Sequence, residues 1–312
     1  MHPRLNQAEK KQILITGATG YIGRKLKQRL LPRSDLHLHL LVRDPTRISA
    51  AARQGTDIVK GDTFDQDALQ NALTGIDTAF YLIHSMGAGD DYASRDRLSA
   101  KNFRTAAEAA GVKKIVYLGG LGERANASEH LLSRIETGEI LSATTPGDPR
   151  TLWLRAGVIL GAGSASFNII QDLTRKLPFM ITPKWVSTKT QPIAVDDVLS
   201  YLEASIDLDL QENVRVDIGT DITDFKGLMQ QAATSMRLKR WLLPLPFFSP
   251  RLSSYWLVFI TRVPFNIASA LVDGLKSETI ATNNNAAKYF PDIQPMSMQQ
   301  AFEKALRETA MD

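Results

Sequence analysis

Gly17, Gly20 and Gly23 stand three residues apart, after the apolar run Ile13-Leu14-Ile15 and at the head of a stretch with Ile22, Leu26 and Leu30 at helical spacing. Such an arrangement suits diphosphate binding. The first glycine makes a tight turn at a strand end, the second lets backbone N–H groups approach a pyrophosphate, and the third lets the helix lie close on the strand. The helix N-terminus adds unpaired N–H groups and a favourable dipole. Gly17, Thr19, Gly20, Tyr21, Ile22 and Gly23 are therefore the expected cradle for the pyrophosphate of a dinucleotide.

About twenty residues beyond Gly23 comes Arg43, followed by Asp44. An acidic residue at this strand tip reads a ribose 2′-hydroxyl, whereas arginine accommodates a 2′-phosphate. Arg43, with Arg24 and Lys25 as neighbours in the same pocket, predicts NADP(H) as the preferred cofactor. Asp44 keeps NAD(H) open. Asp62 and Thr63 are expected at the adenine edge. Leu82, Ile83 and His84 fall beside the ribose and pyrophosphate, and Gly119 follows a later strand. All sit where open α/β sheets bind ligands, at the carboxyl ends of strands.

These residues need a scaffold. Apolar runs predict strands over 13–15, 36–42, 57–60, 78–83, 115–118 and 151–160, alternating with helices over 21–31 and 102–110. Run-like strands of this kind are buried on both faces of a parallel sheet with right-handed crossovers. Further along, 192–195 and 214–218 read as strands, with Asp196 capping a helix over 197–205. Beyond Thr223 the strand pattern stops, and the chain becomes helical, aromatic and proline-punctuated. Asn102 falls at a helix start, where capping and a site role are both open. His37 and His39 share one face of the second strand with no carboxylate motif beside them. They are expected to be structural, and no metal site is expected.

Of 312 residues, 44% are hydrophobic and 22% charged, with a formal charge of +4, which is globular composition without a nucleic-acid footprint. There is no cysteine, which excludes disulfides, thiolate catalysis and cysteine-bound metal. The polar, basic first twelve residues lack the apolar core of a signal peptide, so the expected location is cytoplasmic. The one apolar stretch that invites a membrane reading, 255–275, is interrupted by Arg262, Pro264, Asn266 and Asp273.

The order TGATGYIG, LVRD, GD, YLIHSM, AGVKKIVYLGG, LRAGVILG and PIAVDDV resembles the short-chain dehydrogenase/reductase superfamily, in particular its atypical, NmrA-like NAD(P)-binding branch. The resemblance implies a Rossmann-type doubly wound parallel sheet with a smaller, mostly helical C-terminal substrate region. The expected partition is 1–165 with 186–220 for the cofactor domain, and 166–185 with 221–312 for the substrate side. Typical members place a serine after the fifth strand and a tyrosine four residues before a lysine. Here Gly120, His130 and Arg134 stand at those positions. His130 is the candidate general acid, and Arg134 the candidate ligand for ribose hydroxyls or an anionic substrate. In the alternative reading Arg134 pairs at the surface with Glu136 or Glu139. Ser128 and Ser133 each offer a hydroxyl. Arg155-Ala156-Gly157 matches the family's substrate-side loop or is a plain turn.

Trp241–Phe248 and Tyr255–Ile260 are dense in apolar side chains. They read as a lid over an apolar substrate, as domain packing, or as a surface that meets a membrane or partner. The expected function is an NADP(H)-dependent oxidoreductase acting on an apolar small molecule, as a monomer or homodimer. The alternative is a non-catalytic NADP(H)-binding sensor, regulatory or assembly protein.

Overall fold

Ile13, Leu14 and Ile15 have no exposed surface, because β1 (Lys11–Thr16) runs through the middle of a sheet covered on both sides. The computed structural model describes residues 10–84, 91–143, 149–182, 184–244, 274 and 277–311. From β1 the chain passes through α1 (Tyr21–Leu30), β2 (Leu36–Val42), α2 (Ala50–Arg53), β3 (Thr56–Lys60), α3 (Gln66–Leu73) and β4 (Thr78–Tyr81). Next come α4 (Tyr92–Ala109), β5 (Lys114–Gly120), α5 (Glu129–Leu141) and β6 (Arg150–Ala156). The next four strands in the chain, all short, lie outside the main sheet: β7 (Ile159–Leu160), β8 (Phe179–Thr182), β9 (Lys189–Thr190) and β10 (Ile193–Ala194). Helices α6 (Ala165–Lys176) and α7 (Val195–Ala204) are set among them, and β11 (Val214–Ile218) returns to the sheet.

The seven strands run in the order β11-β6-β5-β4-β1-β2-β3, every neighbouring pair parallel. The order reverses between β1 and β4, which opens a crevice at their carboxyl ends. One face packs Leu38, Leu40 and Leu154 under Leu26, Leu30, Val198 and Leu202 of α1 and α7. The opposite face packs Leu14, Tyr117 and Trp153 under Leu69, Phe103 and Ile135 of α3, α4 and α5. This is the doubly wound Rossmann-type fold that the alternating pattern predicts.

A third core joins Phe167 and Ile170 of α6 to Leu228 and Met229 of α8 (Phe225–Ser235) and Phe302 of the final helix. Before that final helix, α10 (Met298–Met311), comes the short α9 (Asn285–Tyr289). At the sheet's outer edge, Asn285 donates to the Arg215 carbonyl at 2.8 Å, and Asn283 accepts the Asp217 N–H at 3.4 Å. Two side-chain amides thus pair with the free edge of β11.

Several boundaries differ from the sequence reading. The strand expected over 151–160 breaks at Gly157, where a Cβ would lie 2.5 Å from the Gln191 carbonyl oxygen, and β7 leaves to pair with β10. β4 ends at Tyr81 rather than Ile83. Helix α7 starts at Val195, with Ala194 at its N-cap. Asp196 lies within its first turn, 2.7 Å from the Lys304 ammonium. Strands also continue past Thr223. β12 (Thr223–Asp224) pairs with β9, and β13 (Trp241–Pro244) runs parallel to β8. Both ribbons are too short to show alternation. Asn102 lies in mid-helix, since α4 begins ten residues earlier, so it caps nothing.

Candidate functional site

The glycine turn has the geometry its spacing implies. Gly17 adopts φ of +66°, and a Cβ there would meet the Leu82 carbonyl oxygen at 2.5 Å. A Cβ on Gly23 would approach the Gly17 oxygen to 2.2 Å, so the third glycine sets how closely α1 sits on the turn. Gly20 is the exposed N-cap of α1, with no side-chain hydrogen bond to the helix and no acidic residue in the first turn. This leaves the N-terminal N–H groups of α1 facing an electropositive, glycine-lined corner, which fits a diphosphate. Thr19 and Ile22 are half-buried beside it. The Tyr21 phenol is committed elsewhere, donating to the Ala162 carbonyl at 3.0 Å, and burial raises its pKa.

At the end of β2 the two rival readers separate. The Asp44 carboxylate accepts from both the amide and the hydroxyl of Thr46, capping the turn at Pro45–Arg47. The Arg43 side chain is 76% exposed, its nearest acidic partner being Asp62 at 3.8 Å. Thr63 is buried, its hydroxyl accepting from Ser99, which in turn meets Tyr81. The Asn102 amide donates to the Thr63 carbonyl. These contacts tie α4 to the ends of β3 and β4, so the Thr63 side chain serves the scaffold. Leu82 donates its N–H to the Thr16 hydroxyl, continuing the line of β4 along the glycine turn. Ile83 packs against the core under α4. Gly119 is pressed on the Trp153 indole, where a Cβ would lie 2.3 Å from Nε1.

Beyond the turn, α5 and the end of β4 bring together residues far apart in sequence. His84 Nε2 lies 3.2 Å from His130 Nε2, and His84 Nδ1 lies 3.1 Å from the buried Asp96 carboxylate. Ser133 donates to the same Asp96 oxygen at 3.1 Å. With the carboxylate accepting at Nδ1, His84 presents a bare Nε2, and His130 donates its Nε2–H to it. The ring atom of His130 left outside this chain is Nδ1. Burial, then His84 and Arg134, push the His130 pKa down to about 3; burial also lowers that of His84. His130 is therefore neutral at physiological pH, which corrects the picture of a histidine titrating near 7.

Arg134 donates to the Leu118 carbonyl at 2.6 Å, at the end of β5. Neither expected surface partner holds it, because Glu136 pairs with Arg97 and Glu139 with Arg124. A Cβ on Gly120 would lie 3.3 Å from Arg134 Nε, so these two positions adjoin. Of the two serines, Ser128 caps α5 and Ser133 serves Asp96. Asp96 escaped the sequence reading, as did Tyr92, whose ring lies 6.4 Å from that of His130. The available signal was their four-residue spacing at the head of a polar helix.

Arg155 is a structural residue. Its guanidinium, 1% exposed, forms two bonds to Asp217, at 2.6 and 2.8 Å, and others to the Gly122 carbonyl, Glu123 and Thr282. The apolar stretch from 245 to 260 lies outside the described residues, as does nearly all of 255–275. Among the described residues no helix is long and apolar enough to cross a membrane.

Residues 17–144 match the family of NAD(P)H-binding domains. Over 139 residues the chain is 31% identical to the (4-alkanoyl-5-oxo-2,5-dihydrofuran-3-yl)methyl phosphate reductase of Streptomyces griseus, covering 45% of each chain. It is 36% identical over 108 residues to Quinone oxidoreductase 2 of Escherichia coli, covering 34% of this chain and 35% of that one. The chain thus spans less than half the length of these curated relatives. Among solved structures, the Citrobacter triphenylmethane reductase complexed with NADP(H) superposes with a TM-score of 0.72 at 20% identity, over 96% of this chain and 99% of the other. The NADPH complex of the Escherichia coli quinone oxidoreductase gives 0.70 at 21%, over 93% and 98%. At such identities the likeness is one of fold. The chain carries an NAD(P)H-binding domain on a Rossmann-type sheet.

Proposed function

We propose that the NAD(P)H-binding domain of this chain serves an oxidoreductase that prefers NADP(H) and acts on an apolar small molecule. The observation that carries the reading is the position of the His84–His130 pair: His84 follows β4 and His130 opens α5, both beyond the carboxyl ends of the strands, where the glycine turn also lies. Gly17, Gly20 and Gly23 would hold the pyrophosphate, and Arg43 a 2′-phosphate, Asp44 being occupied as a cap. Bound there, NADPH supplies a hydride. In the oxidative direction the bare Nδ1 of His130 accepts the substrate hydroxyl proton; in the reductive direction, with His130 neutral and its hydrogen on Nε2, the product oxygen takes its proton from a solvent water held at Nδ1. Asp96, through His84, steadies the charge that appears on the pair. Arg134 offers a fixed positive charge for ribose hydroxyls or an anionic group on the substrate. The apolar side chains exposed on the β8–β13 ribbon, Phe179, Trp241 and Leu243, support an apolar substrate.

Fluorescence titration tests the cofactor half. NADPH should bind more tightly than NADH, and Arg43→Ala should weaken NADPH about ten- to a hundredfold, the worth of one charge-assisted hydrogen bond, while sparing NADH. Equal affinities in the unaltered protein would remove Arg43 from the reading. Oxidation of NADPH in the presence of quinones, enones and ketones tests the chemistry, and turnover unaffected by His130→Ala would exclude that side chain. Tight NADPH binding with no turnover on any of these classes points instead to a non-catalytic binding protein.

A further inference from the structure

At the amino end of the sheet, remote from the glycine turn, parallel pairing sets His39 of β2 opposite Asp57 of β3. The carboxylate absent from the local sequence pattern is thus delivered by register. His37 Nε2 lies 2.8 Å and His39 Nδ1 3.8 Å from the same Asp57 oxygen, and the three donor atoms all fall within 4.8 Å of one another. The two imidazoles stand edge to face, with centroids 4.9 Å apart.

The tautomer of His39 follows from its neighbour. Gln12 donates its amide nitrogen to the Lys10 carbonyl at 2.9 Å, which turns its oxygen toward His39 Nε2 at 2.8 Å. That oxygen only accepts, so His39 must carry its proton on Nε2. The lone pair on Nδ1 then faces a carboxylate oxygen 3.8 Å away, two acceptors with no hydrogen between them. A proton added to Nδ1 would still be too far from that oxygen for a hydrogen bond. A cation placed between the two acceptors satisfies both. Ligands about 2.0–2.1 Å from a tetrahedral zinc lie about 3.3 Å from each other, between the two separations found here. Asp57, whose side chain is 63% exposed, is free to make the adjustment. A histidine whose second ring nitrogen donates to a fixed amide oxygen is also the usual arrangement around a bound metal.

We propose that His37, His39 and Asp57 form a site for a borderline divalent cation such as zinc, completed by water and oriented by Gln12. Bound there, the ion ties β2 to the edge strand β3, with β1 behind them through Gln12. The site lies roughly 13–20 Å from Arg43 along β2, so it acts independently of the cofactor.

The test is zinc titration by calorimetry of tag-free, chelator-treated protein, alone and with saturating NADPH. One equivalent should bind in both conditions, and zinc should raise the melting temperature. His37→Gln or Asp57→Asn, both at accessible positions, should weaken binding at least tenfold, and Gln12→Leu about ten- to a hundredfold. Cobalt at the site should give the intense visible bands of a tetrahedral ion, lost in His39→Gln. Circular dichroism confirms that each variant is folded. Zinc binding of unchanged affinity in His37→Gln and Asp57→Asn overturns the assignment, as does binding abolished by NADPH, which would place the ion at His84 and His130. An absence of saturable binding below about 100 μM, where structural zinc sites are long since full, overturns it too.

Discussion

His130 shows how burial can change a residue's role without changing its identity. Its depressed pKa, like that of His84, means that the folded protein refuses protons that the unfolded chain accepts below the ordinary value of 6.5. The stability His130 contributes is fully present above pH 6.5 and is lost as the pH falls toward about 3, and His84 acts in the same direction. Urea midpoints measured at pH 7 and 4.5 should therefore differ, and His130→Gln should remove about 1–2 kcal/mol of that difference. The same variant should leave NADPH affinity within a few-fold of the original, because the glycine turn proposed to hold the pyrophosphate is built from backbone. An imidazole resonance for His130 titrating near pH 6.5 by NMR would contradict the burial argument. Arg43 is the opposite case: it is exposed, so its effect should appear only in cofactor choice.

At the scale of elements, glycines fix how closely one piece lies on another. Gly138 of α5 sits on Trp153, where a Cβ would lie 2.3 Å from the indole, and Gly119 borders the same ring. Gly138→Ala should cost about 1–3 kcal/mol through overpacking, visible as a lowered melting temperature, and should displace α5 together with His130. Which elements were legible in the sequence follows from where their polar groups point. The runs at the centre of β1 and β5 are apolar on both faces, and β2 is a leucine-rich run interrupted only by His37 and His39, so all three announce themselves. The apolar stripe marks α4 only from Asn102 onward, because Asp96 and Ser99, buried within its first ten residues, interrupt it. The geometry of the glycine turn was legible because it is local. The Asp96–His84–His130 chain was not, because α4, the segment after β4 and α5 each supply one member, and only the fold brings them together.

For the whole molecule, the Arg155–Asp217 pair joins β6 to β11 and, through Thr282, secures the C-terminal segment. The Asp217 carboxyl is held below the usual range by hydrogen bonds from Arg155 and Thr282 that outweigh its burial. Its contribution is present at neutral pH and disappears only in strong acid. Arg155→Met should cost about 3–5 kcal/mol by leaving a buried carboxylate unpaired, while Arg155→Met with Asp217→Asn should recover much of that loss. Chemical denaturation of both variants checks this, and equal losses would show that the ion pair itself is not what matters. The two rims of the sheet also differ in a way that bears on the protein's behaviour at high concentration. β3 is short and exposes Asp57 and Lys60, charges that discourage an incoming strand. β11 relies on the amides of Asn283 and Asn285, which occupy the place a neighbouring strand would take. Replacing both asparagines by alanine should uncover the edge backbone groups of Arg215 and Asp217 that they pair with. Light scattering should then register self-association that grows with protein concentration, so those asparagines guard solubility.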